Sequence, residues 1–142
     1  MDGRVIEMDP TGVAEVFPTT PKIRVFLVED SKLIRQRLFS LLNGLPGVEI
    51  VGDSDTAADA VQGIADLLPD IVVLDIKLKN GSGIEVLRTI KQQRAPLTVI
   101  MLTNYATDEY RKKCLEAGAD YFLDKTNEFE RLCPIIKQFR HE

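Results

Sequence analysis

The chain has 142 residues, 44% hydrophobic and 28% charged, the size and balance of one globular domain that buries roughly 70% of its unfolded surface and needs no staples. Eighteen Lys+Arg against 22 Asp+Glu leave a net charge of −4, which speaks against nucleic acid as a direct partner, because phosphate contacts rest on positive charge. The single histidine, His141, sits beside the C-terminus, which excludes Ser-His-Asp and Cys-His catalysis, HExxH zinc sites and histidine-rich metal cages.

Residues 1–21 hold Pro10, Pro18 and Pro21 with Thr11, Thr19 and Thr20 and are expected to form a flexible N-terminal arm. Within it, Val13-Ala-Glu-Val-Phe17 alternates slightly and is a candidate for local packing. The first ten residues have neither the basic nor the apolar region of a signal peptide.

From Lys22 onward the chain reads as one domain, 22–142. Short apolar runs recur at Ile23–Val28, Val48–Val51, Ile71–Leu74, Leu97–Leu102 and Tyr121–Leu123. Most are rich in Val and Ile, as buried strands are. Helical stripes lie between them: Leu33, Ile34, Leu38, Leu41 and Leu42; then Ala57, Ala60, Val61, Ile64 and Leu67 or Leu68; then Ile84, Leu87 and Ile90, with Val86 at the margin; then Tyr110, Cys114, Leu115 and Ala117. A last stripe, Phe129, Leu132, Ile136 and Phe139, is interrupted by Pro134, which predicts a kinked helix. Ser82-Gly-Ile-Glu85 and Asn127-Glu-Phe-Glu130 have the form of capping boxes. Cys114 and Cys133 make no zinc spacing and no disulfide framework, so both are expected to be thiols in a reducing cytoplasm. No apolar run approaches the roughly 18 residues that span a bilayer.

Strand–helix alternation at this spacing predicts an α/β fold, a doubly wound parallel sheet with helices on both faces. Ligands of such sheets bind beyond the carboxyl ends of the strands. There the sequence places Glu29 and Asp30, then Asp75, then Thr103, and, after Asp124, Lys125. Each alone has an ordinary explanation. Glu29-Asp30 would complement a helix dipole, Thr103 is a common residue after strands, and a lone Lys125 would be solvated. Asp75 is odder, since a buried strand end seldom offers an unpaired acid. Jointly they make a site. Three neighbouring carboxylates repel and call for a cation, and Mg2+ is a hard ion that takes one or two carboxylates while keeping waters. A lysine and a hydroxyl beside it would neutralise a tetrahedral dianion, as phosphoryl transfer requires. An aspartate nucleophile forming an acyl phosphate is an established covalent route.

Val28-Glu29-Asp30, Leu74-Asp75, Leu102-Thr103 and Phe122-Leu-Asp-Lys125 together resemble the receiver domain of two-component response regulators. The resemblance covers about residues 22–140. The segments PGVEIVG, GSGIEVLR and EAGADYFLDK further resemble receivers of regulators with helix-turn-helix output. It implies a flavodoxin-like (βα)5 fold with strand order 2-1-3-4-5. It implies a signalling phosphoacceptor with self-catalysed transfer and loss of phosphate rather than a turnover enzyme. Asp75 resembles the phosphoacceptor, and Asp30 and Asp75 resemble metal ligands, with Glu29 acting through water and the Lys77 carbonyl as a further ligand for Mg2+. Thr103 and Lys125 resemble the phosphate-contacting pair, and Thr103 and Phe122 the switch pair. The implied partners are a sensor histidine kinase or histidine phosphotransfer protein, and a downstream protein or a second copy in a homodimer. No membrane contact and no nucleic-acid contact within this chain are implied, and the location is cytoplasmic.

The sequence departs from the common pattern. Phe122 lacks a hydroxyl, Lys79 and Thr126 stand where proline is usual, and Lys77 and Tyr105 flank the site. Lys77 is expected to pair with Glu29 when metal is absent and to alter water access; Tyr105 is expected to shield the site.

Rival readings fit less well. A haloacid-dehalogenase-type phosphatase wants an acid where Lys77 stands. A flavodoxin-like FMN carrier wants hydroxyls, not acids, after the first strand. Gly81-Ser-Gly83 lacks the third glycine and the preceding strand of a nucleotide loop. A pseudo-receiver interaction module, working without phosphorylation, is the alternative. The chain ends at Glu142 with no room for an output domain, so it is either a stand-alone receiver, which the initiating Met favours, or a piece of a longer regulator.

Overall fold

A computed structural model of the chain describes residues 4–8, 14–18 and 22–139; His141 lies outside them. The strands are β1 (Arg4–Met8), β2 (Ala14–Pro18), β3 (Ile23–Val28), β4 (Val48–Ser54), β5 (Ile71–Leu74), β6 (Thr98–Thr103) and β7 (Tyr121–Asp124). The helices are α1 (Lys32–Asn43), α2 (Ala57–Leu67), α3 (Gly83–Gln93), α4 (Asp108–Glu116) and α5 (Leu132–Lys137). The segment expected as a flexible arm carries β1 and β2, which pair antiparallel from Arg4 opposite Pro18 to Met8 opposite Ala14.

The remaining strands form one parallel sheet in the order β4-β3-β5-β6-β7. Counted from β3, this is the expected 2-1-3-4-5 order. Its inner strands β3, β5 and β6 are buried on both faces, and successive residues alternate between two cores, as the period of two requires. Phe26, Val28, Val72, Leu74, Val99, Met101 and Phe122 face α2, α3 and α4. Val25, Leu27, Ile71, Val73, Ile100, Leu102 and Leu123 face α1 and α5. Order β3-β5-β6-β7 makes neighbours of the four strands that end in Glu29, Asp75, Thr103 and Lys125.

β4 runs three residues beyond the expected Val51 because the ladder to β3 shifts register. Val25 pairs with Ile50 and Phe26 with Gly52, leaving Val51 as a bulge. Gly52 suits that position, because a Cβ there would lie 2.9 Å from the Phe26 ring and from Leu67. Glu49 and Asp53 on this outer strand are exposed.

Several helix details differ from the expected stripes. On α1 only Leu38 and Leu42 are buried; Leu33 is 75% exposed and Leu41 is 37% exposed. Leu115 is likewise exposed, while Cys114 is buried and burial pushes its thiol up to about 11. A stripe derived from periodicity is wider than the strip the sheet covers. Ser82 caps α3 as expected, accepting from the Ile84 N–H at 3.1 Å. Ser31, Thr56 and Thr107 cap α1, α2 and α4 in the same way. Asn127 is no cap; its amide donates to Asp124 Oδ2 at 3.2 Å. The expected kinked last helix is instead a 3-10 turn, Phe129–Arg131, followed by α5. Pro134 falls in the first turn of α5, where its missing N–H would have had no helical partner.

The start of α3 rests against the phosphoacceptor candidate. The Gly83 N–H donates to Ile76 O at 2.5 Å, and a Cβ on Gly83 would fall 1.8 Å from the Asp75 carbonyl oxygen. Backbone cannot yield as a side-chain tip can, so glycine is required.

Two comparisons test this packing by urea denaturation. Leu38→Ala is expected to cost about 2–5 kcal/mol, and Leu33→Ala no more than about 0.5 kcal/mol. Gly83→Ala is expected to cost at least the 1–3 kcal/mol typical of overpacking, roughly. Gly44→Ala, with 3.7 Å of clearance, should be neutral to slightly stabilising.

Candidate functional site

The carboxyl edge of the sheet gathers the side chains. Glu29 directly follows β3, and its N–H donates to Ser54 O at 3.0 Å. Asp75 directly follows β5, with its N–H donating to Val28 O at 3.0 Å. The ladder places Thr103 opposite Asp124, and the Lys125 N–H donates to Thr103 O at 2.9 Å. Glu29, Asp75 and Lys125 are therefore fixed by sheet pairing that continues one residue past the strand, and Thr103 by the last pair of its own ladder.

Lys125 joins the two halves. Its ammonium donates to Asp75 Oδ2 at 2.7 Å and forms an ion pair with Glu29 Oε1. Their side chains are 7%, 6% and 2% exposed for Lys125, Asp75 and Glu29, so this is a buried charge cluster and the pairing is compulsory. Burial opposes the charge on Lys125, but the bonds to Asp75 and Glu29 outweigh it and hold the ammonium above the usual lysine range. Glu29 is pushed up to about 7, chiefly by burial and also by the Asp75 charge, against the pull of Lys125 and of the Ser31 N–H. That N–H donates to Glu29 Oε2 at 3.1 Å, and Arg35 Nη1 donates to the Glu29 carbonyl at 2.7 Å. Asp75 Oδ1 accepts from the Ile76 N–H at 2.7 Å.

Asp30, partly exposed, completes an acidic trio. One carboxylate oxygen from each of Glu29, Asp30 and Asp75 lies within 4.8 Å of the other two. With all three ionised, three negative charges face one ammonium, a net −2 that a single divalent cation would neutralise. The donor set is all oxygen, which suits a hard ion such as Mg2+. The raised Glu29 marks mainly the cost of burying its charge, to which the Asp75 carboxylate adds, and a cation beside it would favour the ionised form. These residues fit the ion that the sequence implies.

Thr103 is fully buried, and its Oγ1 accepts from the Tyr105 N–H at 3.1 Å. The expected Lys77–Glu29 pair does not form, because Lys125 holds Glu29. The Lys77 ammonium lies 4.4 Å from the centre of the Tyr105 ring instead, and that ring meets Tyr110 edge-on at 6.4 Å. Phe122 is 4% exposed. Arg111, which the sequence did not single out, lies over the Phe122 ring at 4.8 Å and donates to the Phe122 carbonyl at 3.1 Å. Contacts across elements of this kind leave no local spacing signal.

The comparisons with known proteins agree with this geometry. The sequence matches the response regulator receiver domain over residues 25–137. It is 32% identical over 115 residues to the DNA-binding transcriptional activator DevR/DosR of Mycobacterium tuberculosis, covering 81% of this chain and 53% of that protein. The chain thus spans about half the length of that relative. The response regulator domain of Thermotoga maritima CheB superposes with a TM-score of 0.75 at 30% identity, covering 82% of this chain and 95% of that one. A LuxR-family DNA-binding response regulator from Staphylococcus aureus gives a TM-score of 0.76 at 28% identity, covering 82% and 97%. With the acidic trio, Thr103 and Lys125 at the carboxyl edge of a 2-1-3-4-5 sheet, the chain belongs to the receiver domains of two-component response regulators.

Proposed function

We propose that residues 22–142 form a phosphoaccepting receiver that takes a phosphoryl group onto Asp75 from a phosphohistidine of a sensor kinase or histidine phosphotransfer protein, in the cytoplasm. The observation that carries this reading is the buried Lys125 bridge between Asp75 and Glu29. A lysine committed to two buried acids at a ligand-binding edge suits a group that must be electrostatically poised.

The chain's own residues divide the work. Each Asp75 carboxylate oxygen accepts one hydrogen bond, Oδ1 from the Ile76 N–H and Oδ2 from Lys125, which orients the carboxylate for one oxygen to attack phosphorus. An O–P bond forms as the N–P bond of the donor breaks, and the imidazole nitrogen keeps the electron pair. Lys125 can follow the charge from the carboxylate to a phosphoryl oxygen, and Thr103 can donate its hydroxyl to another. When bound, Mg2+ would supply positive charge at Glu29, Asp30, Asp75 and the Lys77 carbonyl. The transfer and the later loss of phosphate are proposed to be self-catalysed. Thr103 and Phe122 would carry the change to a surface that meets a downstream protein or a second copy. Residues 1–21 stand as an arm outside this unit.

Three outcomes test the reading. Incubated with acetyl phosphate and Mg2+, the protein should gain one phosphate by intact mass, removable by hydroxylamine; Asp75→Asn should gain none, and an unchanged gain would move the phosphoacceptor elsewhere. Mg2+ should raise the melting temperature, with about 2.7 kcal/mol of stabilisation at 100 times its dissociation constant; Asp30→Ala should lose most of that rise, and a full rise in the variant would place the ion at another site. Lys77→Ala should still be phosphorylated but lose its phosphate at a different rate, followed by the decay of the phosphorylated mass; complete loss of phosphorylation would make Lys77 essential rather than modulating.

A further inference from the structure

The switch ring of this chain, Phe122, has no hydroxyl and so no polar anchor of its own. Its surroundings supply one. Arg111, reaching over from α4, lays its guanidinium 4.8 Å from the ring centre and bonds the Phe122 carbonyl at 3.1 Å. The same guanidinium pairs with Glu128 Oε1 at 3.6 Å. Glu128 in turn accepts from the Asp124 N–H at 3.1 Å, donates its own N–H to Asp124 O at 2.7 Å and pairs with Arg131. Asp124 is the residue before Lys125. One side chain therefore touches the switch ring, the strand that carries it and, through one carboxylate, the corner that aims the lysine at Asp75.

We propose that Arg111 is a positioning residue: it latches Phe122, and through Glu128 the Lys125 corner, in the unphosphorylated arrangement. This rests on the phosphoacceptor reading above and deepens it. The groove between α1 and α5, lined by Arg37, Leu41, Phe129 and Cys133, has nothing to say what covers it. The Arg111 contacts instead name both what is held and what holds it. A guanidinium face suits an aromatic ring better than an ammonium does, and its second nitrogen is free for a carboxylate. If the ring turns off the Arg111 face as Thr103 turns toward a phosphoryl oxygen, the ring contact is lost in that state alone. A contact made in one state only shifts the balance between the two.

The sign of the effect follows. Removing the latch destabilises the unphosphorylated arrangement, so a phosphoryl mimic should bind more tightly, the reverse of what general damage would do. The test is calorimetric titration of the full chain with beryllofluoride and Mg2+. Arg111→Ala should tighten binding roughly three- to tenfold, and Arg111→Lys, which keeps the charge but loses the planar face, should lie between it and wild type. Glu128→Gln should tighten binding by less, because the ring contact survives. Lys112→Ala removes the same charge from an exposed neighbour on α4 and should change nothing. Unchanged or weaker binding by Arg111→Ala overturns the latch, as does equal tightening by Lys112→Ala. Beryllofluoride that fails to bind the wild type overturns the phosphoacceptor reading itself, and the latch with it. Should Arg111→Ala not fold, the Glu128→Gln titration decides: wild-type affinity there overturns the latch.

Discussion

A single ammonium held between two buried carboxylates sets the terms for everything around it. Lys125 cannot leave Glu29 and Asp75 without another cation taking its place, since an uncompensated buried charge costs about 3–5 kcal/mol. Nor can the acids be brought together without Lys125. The position of that lysine depends on β7 pairing with β6, and the positions of the acids depend on β3 pairing with β5. The strand order is thus a condition of the charge balance. A sheet wound in another order would present the same residues with no partner within reach.

The cluster is also why the site is poised rather than inert. Three acids against one ammonium leave a deficit that burial makes worse, visible in the upward push on Glu29. The proposed cation and phosphoryl group would bring opposite charges to the same few ångströms, each making room for the other. The scaffold beneath is stiff where this matters. Gly83 presses the start of α3 onto the Asp75 peptide, and the Ile76 N–H fixes one carboxylate oxygen. In the proposed reading, adjustment is left to side chains: the lysine, the Thr103 hydroxyl and the Phe122 ring.

The sheet and its carboxyl edge were legible in the sequence because their signals are local. Ile23–Val28 and Ile71–Leu74 are apolar runs with clean ends, and the chemistry-bearing residue follows each strand directly. What was not legible depends on distance in space. Leu33 fits the helical stripe of α1 as well as Leu38 does, yet only one of them meets the sheet. Lys77 was as good a partner for Glu29 as Lys125 by charge alone; the register of β6 and β7 decides for Lys125. Arg111 is one of many charged residues on α4, and only the three-dimensional path from α4 to β7 shows that it lies on Phe122. Asn127 is no cap because the turn that follows starts one residue later, after Glu128, with no side-chain cap.

The bulge at Val51 has a consequence for the molecule in company. An outer strand offers a row of unpaired backbone donors and acceptors, a template on which strands of other chains can add. Here the extra residue twists that row out of register, and the exposed carboxylates of Glu49 and Asp53 line it with like charge. A second copy approaching edge to edge would meet its own repulsion before its first hydrogen bond. At high local concentration this border of the sheet therefore resists growing into a fibre.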